Sequence, residues 1–208
     1  MSHDSLPPAS QGSFNYAGAL VRLKNPELMP CGCGFAWDAW TVATCAHIQP
    51  QTSSMLFNCS RSGIEIDYVV SFTEEDIAFI VCKQPHGFHV FPRLEVEPEP
   101  DIALSVCQEY TTEQIPFSPL TGAAETTGEI AQPELYFSRR VPPTRPNVWT
   151  YQLQNATPAG ASGSPVMTKS RAIAAMHVGM NTSNNMGYGI SMLTMNQAFQ
   201  RMLLRQSK

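Results

Sequence analysis

Short apolar runs separated by turn formers dominate the chain. AGALVRL, CGFAW, WTVATC, SMLFNC, IEIDYVVSF and DIAFIVC follow one another before residue 83. They are rich in β-branched and aromatic residues, which suit a pleated, half-buried surface. After the acidic, proline-containing stretch LEVEPEPD the rhythm resumes with IALSVC, ELYFS, VWTYQLQ, SPVMT, AIAAMHV and YGISML. Two sets of about six short strands, joined near residues 94–101, predict an all-β chain. Its two halves fit two small antiparallel barrels or a large sandwich. Only the C-terminus has a helical period. Met195, Ala198, Phe199, Met202 and Leu203 fall at i, i+3, i+4, i+7 and i+8. Thr194, with Gln197 three residues later, predicts the cap of a helix, with helix and tail together spanning 194–208.

The expected organisation is a leader over 1–13, a first barrel over 14–94, a linker over 95–101, a second barrel over 102–193 and the helix. The leader MSHDSLPPASQGS has neither a basic start nor an apolar stretch, so it does not read as a secretory signal. No apolar run approaches the ~20 residues of a membrane-spanning helix.

Charge narrows the choice of partners. The 208 residues include 13 Lys and Arg against 17 Asp and Glu, a formal net charge of −4. Binding through phosphates calls for a basic excess or stripe. Arg139-Arg140 is only a small cluster, so nucleic acid is not an expected partner. The six cysteines, at 31, 33, 45, 59, 82 and 107, leave the last hundred residues empty. A disulfide framework of a small secreted chain would be spread more evenly, so free thiols are expected.

The chemistry centres on TPAGASGSPV, residues 157–166. Glycines permit turns that aim successive N–H groups at one point, where an oxyanion would develop. Gly160 and Ser162 are the candidates for those donors, and Ser162 also brings a hydroxyl. A serine needs a positioned base and a group that orients the base. His47 ends the run TVATCAHI, at a barrel rim, and Asp76 opens the run DIAFIV. Glu74 and Glu75 compete with Asp76 for the orienting role.

These three segments resemble the motifs of chymotrypsin-like proteases. TVATCAHI is similar to the family's Thr-Ala-Ala-His, EEDIAFI to its Asp-Ile-Ala strand, and GASGSPV to its Gly-x-Ser-Gly-Gly-Pro loop. Their order along the chain, His, Asp, Ser, also matches. The resemblance spans roughly 14–205 and implies two antiparallel β-barrels with a C-terminal helix. His47, Asp76 and Ser162 would be the catalytic residues, with no cofactor. TPAGASG followed by AAMHVGM further resembles the viral 3C-like main proteases of picornavirus and nidovirus type. That likeness implies Thr157 and His177 as pocket residues binding Gln or Glu before the scissile bond, with Gly187 and Gly189 as an open pocket wall. It also implies a viral polyprotein as substrate and the host cytoplasm as location. Gln11-Gly12 and Gln206-Ser207 would then be candidate self-cleavage bonds in the two tails.

The chain departs from the family in places. Picornaviral enzymes mostly use Cys where Ser162 stands. Ala161 replaces the Asp that pairs with a freed N-terminus in digestive enzymes, and no Ile-Val-Gly-Gly start is present. Two other readings stay open from sequence. Cys31, Cys33, Cys45 and His47 offer four ligands of the kind that hold zinc in a structural module. A protease-like domain that binds partners without catalysis is the other.

Overall fold

A computed structural model describes residues 19–58, 62–99, 102–108, 134–145, 148–153, 157, 160–168 and 170–207. The leader, Gln11, Cys59 and the linker's Pro100 and Asp101 lie outside these residues. Every apolar run singled out above contains a strand. The first set comprises β1 (Val21–Lys24), β2 (Pro30–Ala36), β3 (Thr41–Thr44), β4 (Met55–Phe57), β5 (Ile66–Phe72) and β6 (Ile77–Cys82). These form one antiparallel sheet in the order β4-β1-β2-β3-β6-β5. The second set is β7 (Ala103–Gln108), β8 (Glu134–Arg145), β9 (Val148–Leu153), β10 (Pro165–Thr168), β11 (Ile173–Asn181) and β12 (Met186–Ser191). It closes into a barrel through the pairing of β7 with β10. Among the described residues the first sheet curls without a closing ladder, and a bridge from Leu56 to Ile64 links the β4 edge to the segment before β5.

Period-2 alternation explains why the central strands read as continuous apolar runs. In β6, Ile77 and Phe79 face one core while Ile80 and Cys82 face another. The same split holds in β3, where Ala43 and Val42 face opposite ways. One core fills the curl of the first sheet with Val21, Leu23, Val42, Leu56 and Ile80. The other lies between the sheets and runs from Phe35, Trp37 and Phe79 to Met167, Ile173 and Met176. The second barrel is filled by Leu104, Val106, Trp149, Tyr151, Leu153 and Val166.

Helix α1 (Met192–Gln206) seals the inter-sheet core. Phe199 packs on Trp37 and Phe79, with ring centroids 5.3 and 5.2 Å away. Three details differ from the sequence expectation. The cap is Ser191, whose hydroxyl accepts from the Thr194 N–H, because the helix starts as soon as β12 ends. Thr194 sits inside the first turn and is buried. On the far side Leu203 is 40% exposed, so the packed stripe is narrower than the period implied. Gln206 is the last helical residue, so Gln206-Ser207 is not the extended tail expected of a cleavage site. A cleft that binds an extended peptide would have to unwind the helix end first.

Main-chain bonds fasten the sheets together. The Cys33 N–H donates to the Ser162 carbonyl at 2.8 Å. The connecting segment pairs with the start of β11: Ile173 donates to Pro92 at 2.7 Å and Leu94 donates to Ile173 at 2.9 Å.

Candidate functional site

The first sheet brings His47 and Asp76 together. β3 ends at Thr44, and Ala46–Ile48 form a single 3-10 turn that carries His47 to the sheet rim. Asp76 closes the turn before β6 with φ +58°, a left-handed backbone that aspartate tolerates better than most residues. That conformation aims three acceptors at one turn. The Asp76 carbonyl takes the Ala46 N–H at 3.2 Å, and Oδ1 takes the His47 N–H at 2.8 Å. Oδ2 lies 2.7 Å from His47 Nδ1. Ring and main chain of His47 are thus held by one carboxylate, which keeps Nδ1 protonated and leaves Nε2 as the free nitrogen. The competing acids stand elsewhere. Glu75 pairs with Arg201 on α1 at 2.5 Å, and Glu74 is exposed.

The second sheet supplies the Ser162 loop, which leads into β10. Gly160 and Gly163 have φ of +86° and +91°. A Cβ at Gly163 would lie 1.8 Å from the Cys33 carbonyl oxygen, so only glycine fits there. Gly163 donates to the His177 carbonyl at 2.7 Å, and Ser164 to the Ala161 carbonyl at 3.0 Å. The Gly160 and Ser162 N–H groups have no acceptor among the described residues. These are the two donors expected to face an oxyanion, although Pro158 and Ala159 lie outside the described residues. The Gly160 carbonyl is tied back by the Cys33 thiol at 3.2 Å.

The Ser162 hydroxyl donates to the Val178 carbonyl at 2.8 Å. Val178 is the residue at which the β11–β12 register shifts, so this carbonyl stands outside the ladder. The two sheets meet beneath the site at one acceptor. The His177 carbonyl receives both the Gly163 N–H and, at 3.5 Å, the thiol of Cys45.

His177 itself is buried, and burial lowers its pKa from 6.5 to about 4, so the ring is neutral. Its Nδ1 lies 2.5 Å from the hydroxyl of Tyr151, which also reaches the Tyr188 carbonyl at 3.0 Å. With that hydroxyl donating to Nδ1, the ring's own proton sits on Nε2. Nε2–H then points to Thr157 Oγ1, at 3.4 Å. Thr157 in turn directs its N–H and its hydroxyl to the Met180 sulfur, at 3.2 and 3.3 Å.

Tyr151 is the site residue that the sequence reading missed. It sits on β9, two strands from His177, with β12 between them. Gly187 and Gly189 on β12 let its ring cross over. A Cβ at Gly187 would meet the Tyr151 ring at 2.3 Å, and one at Gly189 would meet it at 3.1 Å. The two glycines were expected to leave an open pocket wall. Instead, the space above them is filled by Tyr151. Two glycines opposite an aromatic strand are the signal for this arrangement, but it can be read only once the strand order is known.

The four-ligand zinc cluster does not form. Cys31 donates to the Leu23 carbonyl, Cys33 to that of Gly160 and Cys45 to that of His177. The metal-compatible group among the described residues is Cys45, His47 and Asp76. Among the described residues, Cys31, Cys33, Cys45, Cys82 and Cys107 are in no disulfide. Burial and the nearby Asp76 charge push the Cys45 pKa well above the ordinary thiol value. His86 is a structural residue: its Nε2 meets the Asp38 carbonyl at 2.6 Å, and its Nδ1 accepts the Phe88 N–H.

No protein-family model matches the chain, and no curated protein does. Solved structures do. Neuropsin, a serine protease expressed in mouse brain, is 8% identical, with a TM-score of 0.70 over 90% of this chain and 95% of that one. The Rv3671c protease of M. tuberculosis, in its inactive form, is 14% identical, with a TM-score of 0.61 over 92% and 94%. An inactivated protease paralogue of the scabies mite is 14% identical, with a TM-score of 0.67 over 90% and 95%. At such identities the likeness establishes a chymotrypsin-like fold.

Proposed function

We propose that the chain is a serine endopeptidase in which Ser162 is the nucleophile, His47 the base and Asp76 the residue that orients it. The observation that carries this reading is the two-point grip of Asp76 on His47, together with a Ser162 loop in which two N–H groups have no acceptor among the described residues. In the reaction the Ser162 hydroxyl turns from the Val178 carbonyl to Nε2 of His47 and attacks the peptide carbonyl. His47 takes the proton and later returns it to the leaving amine, while Asp76 stabilises the imidazolium. The Gly160 and Ser162 N–H groups receive the oxyanion.

The pocket reading favours a side-chain amide before the scissile bond. A neutral His177 that offers Nε2–H, with the Thr157 hydroxyl beside it, matches the carbonyl of Gln. It gives Glu no charge to offset burial of a carboxylate, so Gln ranks above Glu. With the resemblance to viral main proteases, this supports polyprotein processing in an infected cell, the host cytoplasm being the expected compartment.

Peptide-library cleavage by wild type and Ser162→Ala tests the reading. Cutting after Gln, lowered on the order of 10⁴-fold in the variant, is the expected result. Equal rates would remove Ser162 from the chemistry, and preference for Arg, Lys or Phe would remove the pocket assignment. The bond from Ser162 to Val178 favours a second reading, a protease-like binding domain. Folded wild type that cuts no member of the library would establish that one.

A further inference from the structure

Cys45 has no part in the chemistry above, yet it lies beneath it. It is fully buried, between the end of β3 and the His47 turn. Its sulfur, a ring nitrogen of His47 and a carboxylate oxygen of Asp76 all lie within 4.8 Å of one another. No other thiol joins them, because Cys31 and Cys33 are directed to other carbonyls.

We propose that Cys45, His47 and Asp76 form a binding site for a thiophilic divalent cation such as zinc, and that the bound ion silences the hydrolytic site.

The donor set is one that zinc takes: a thiolate, an imidazole and a carboxylate, with the fourth position left to water. Zinc bonds of about 2.0–2.3 Å place tetrahedral ligand atoms about 3.3–3.8 Å apart. The 2.7 Å contact between Nδ1 and Oδ2 would open slightly, and the thiol would move in. Two anionic ligands neutralise the dication, which suits a half-buried position. Side-chain exposures of 46% for His47 and 26% for Asp76 give the ion a route from the cleft. Burial and the Asp76 charge hold the Cys45 thiol protonated in the empty site, so binding the ion must displace that proton.

Silencing follows from proton placement. Nδ1, the nitrogen that already faces Asp76, must give its lone pair to the metal. The ring's one proton then moves to Nε2, and the Cys45 proton leaves to solvent. His47 with Nε2–H has no lone pair for the serine proton, and Asp76 is no longer free to orient the ring. This consequence rests on the protease reading, whereas the binding itself does not.

Cobalt(II) is the probe, because a thiolate ligand gives it a near-ultraviolet charge-transfer band. One equivalent added to the full chain should produce that band, and zinc should bleach it. Cys45→Ala should remove the band, while Cys31→Ala, half-buried and outside the site, should keep it. Zinc should slow wild-type peptide cleavage at least tenfold relative to the same protein in chelator, with a ratio near one in Cys45→Ala. Circular dichroism checks the fold. If Cys45→Ala is unfolded, Asp76→Asn takes its place, read by the cobalt spectrum alone. Absence of the band overturns the site, as does a band that survives Cys45→Ala. A saturated site with an unchanged cleavage rate overturns the silencing. Wild type that cuts nothing in chelator counts against the protease reading, and the cobalt spectrum still decides the site.

Discussion

The Tyr151 hydroxyl lies 2.5 Å from Nδ1 of His177, reached across two glycines of an intervening strand. In the proposed pocket, Tyr151 therefore sets which nitrogen of His177 would offer a proton to a substrate side chain. Tyr151→Phe leaves Nδ1 buried without a partner, a loss of about 1–3 kcal/mol. The expected outcome is a fall of about tenfold or more in kcat/KM for Gln peptides, together with a lower thermal midpoint. Gly187→Ala should act in the same direction, since its Cβ would strike the Tyr151 ring. A Tyr151→Phe enzyme with wild-type kcat/KM would show that the hydroxyl does not set the pocket.

The same burial makes stability depend on pH. His177 has an ordinary pKa of 6.5, lowered to about 4 in the folded chain. Between those values the unfolded chain binds the extra proton, so stability rises with pH through this window. The contribution is complete above pH 6.5 and is lost as pH falls to about 4, a change of about 3 kcal/mol. Urea midpoints across this range, compared with those of His177→Gln, measure it. A variant whose midpoint falls as steeply as wild type would assign the effect to other groups.

Gly163→Ala should cost far more than an ordinary glycine substitution. Its φ of +91° alone is worth about 1–2 kcal/mol, and its Cβ would overlap the Cys33 carbonyl. Gly63→Ala is the control, with φ +73° and open space around the Cβ. Thermal unfolding should show a several-degree loss for Gly163→Ala beyond that of Gly63→Ala, and activity should vanish only in the former. Similar losses for both would mean that strain alone, not the seam, governs the loop.

Ser191→Ala removes the acceptor for the Thr194 N–H at the start of α1. The expected loss is about 1 kcal/mol. Denaturant titration of the variant measures it directly, and an unchanged midpoint would mean the helix start is held by packing of Met192 and Met195.

Much of this was legible in the chain. Among the described residues, β3, β6 and β10 appear as near-continuous apolar runs because they are buried on both faces. His47, Asp76 and Ser162 stood out because their neighbours restrict the backbone in recognisable ways. Asp76 could not be separated from Glu74 and Glu75 without the left-handed turn, which only the folded chain displays. Tyr151 was invisible because β9 reads as one more aromatic strand, and its meaning arises from β12 lying between it and His177. The cysteines misled for a related reason. Cys-x-Cys on a regular strand would place both thiols on one side, but the β1–β2 register shift at Cys31 turns it to the first-sheet core while Cys33 faces the core between the sheets. The Thr194 cap failed because Ser191, three residues earlier, offered the same chemistry at the end of a strand.

The bonds that join the sheets have a bearing on descent. Cys33 to Ser162, Ile173 to Pro92 and Leu94 to Ile173 all run between peptide groups, which every residue but proline can supply as donors. A seam of that kind holds its alignment while the side chains on both sides are exchanged. Nearly every side chain along the seam can change while the two sheets keep the same separation. That freedom is in keeping with an architecture shared at 8–14% identity with mouse, mite and mycobacterial proteins.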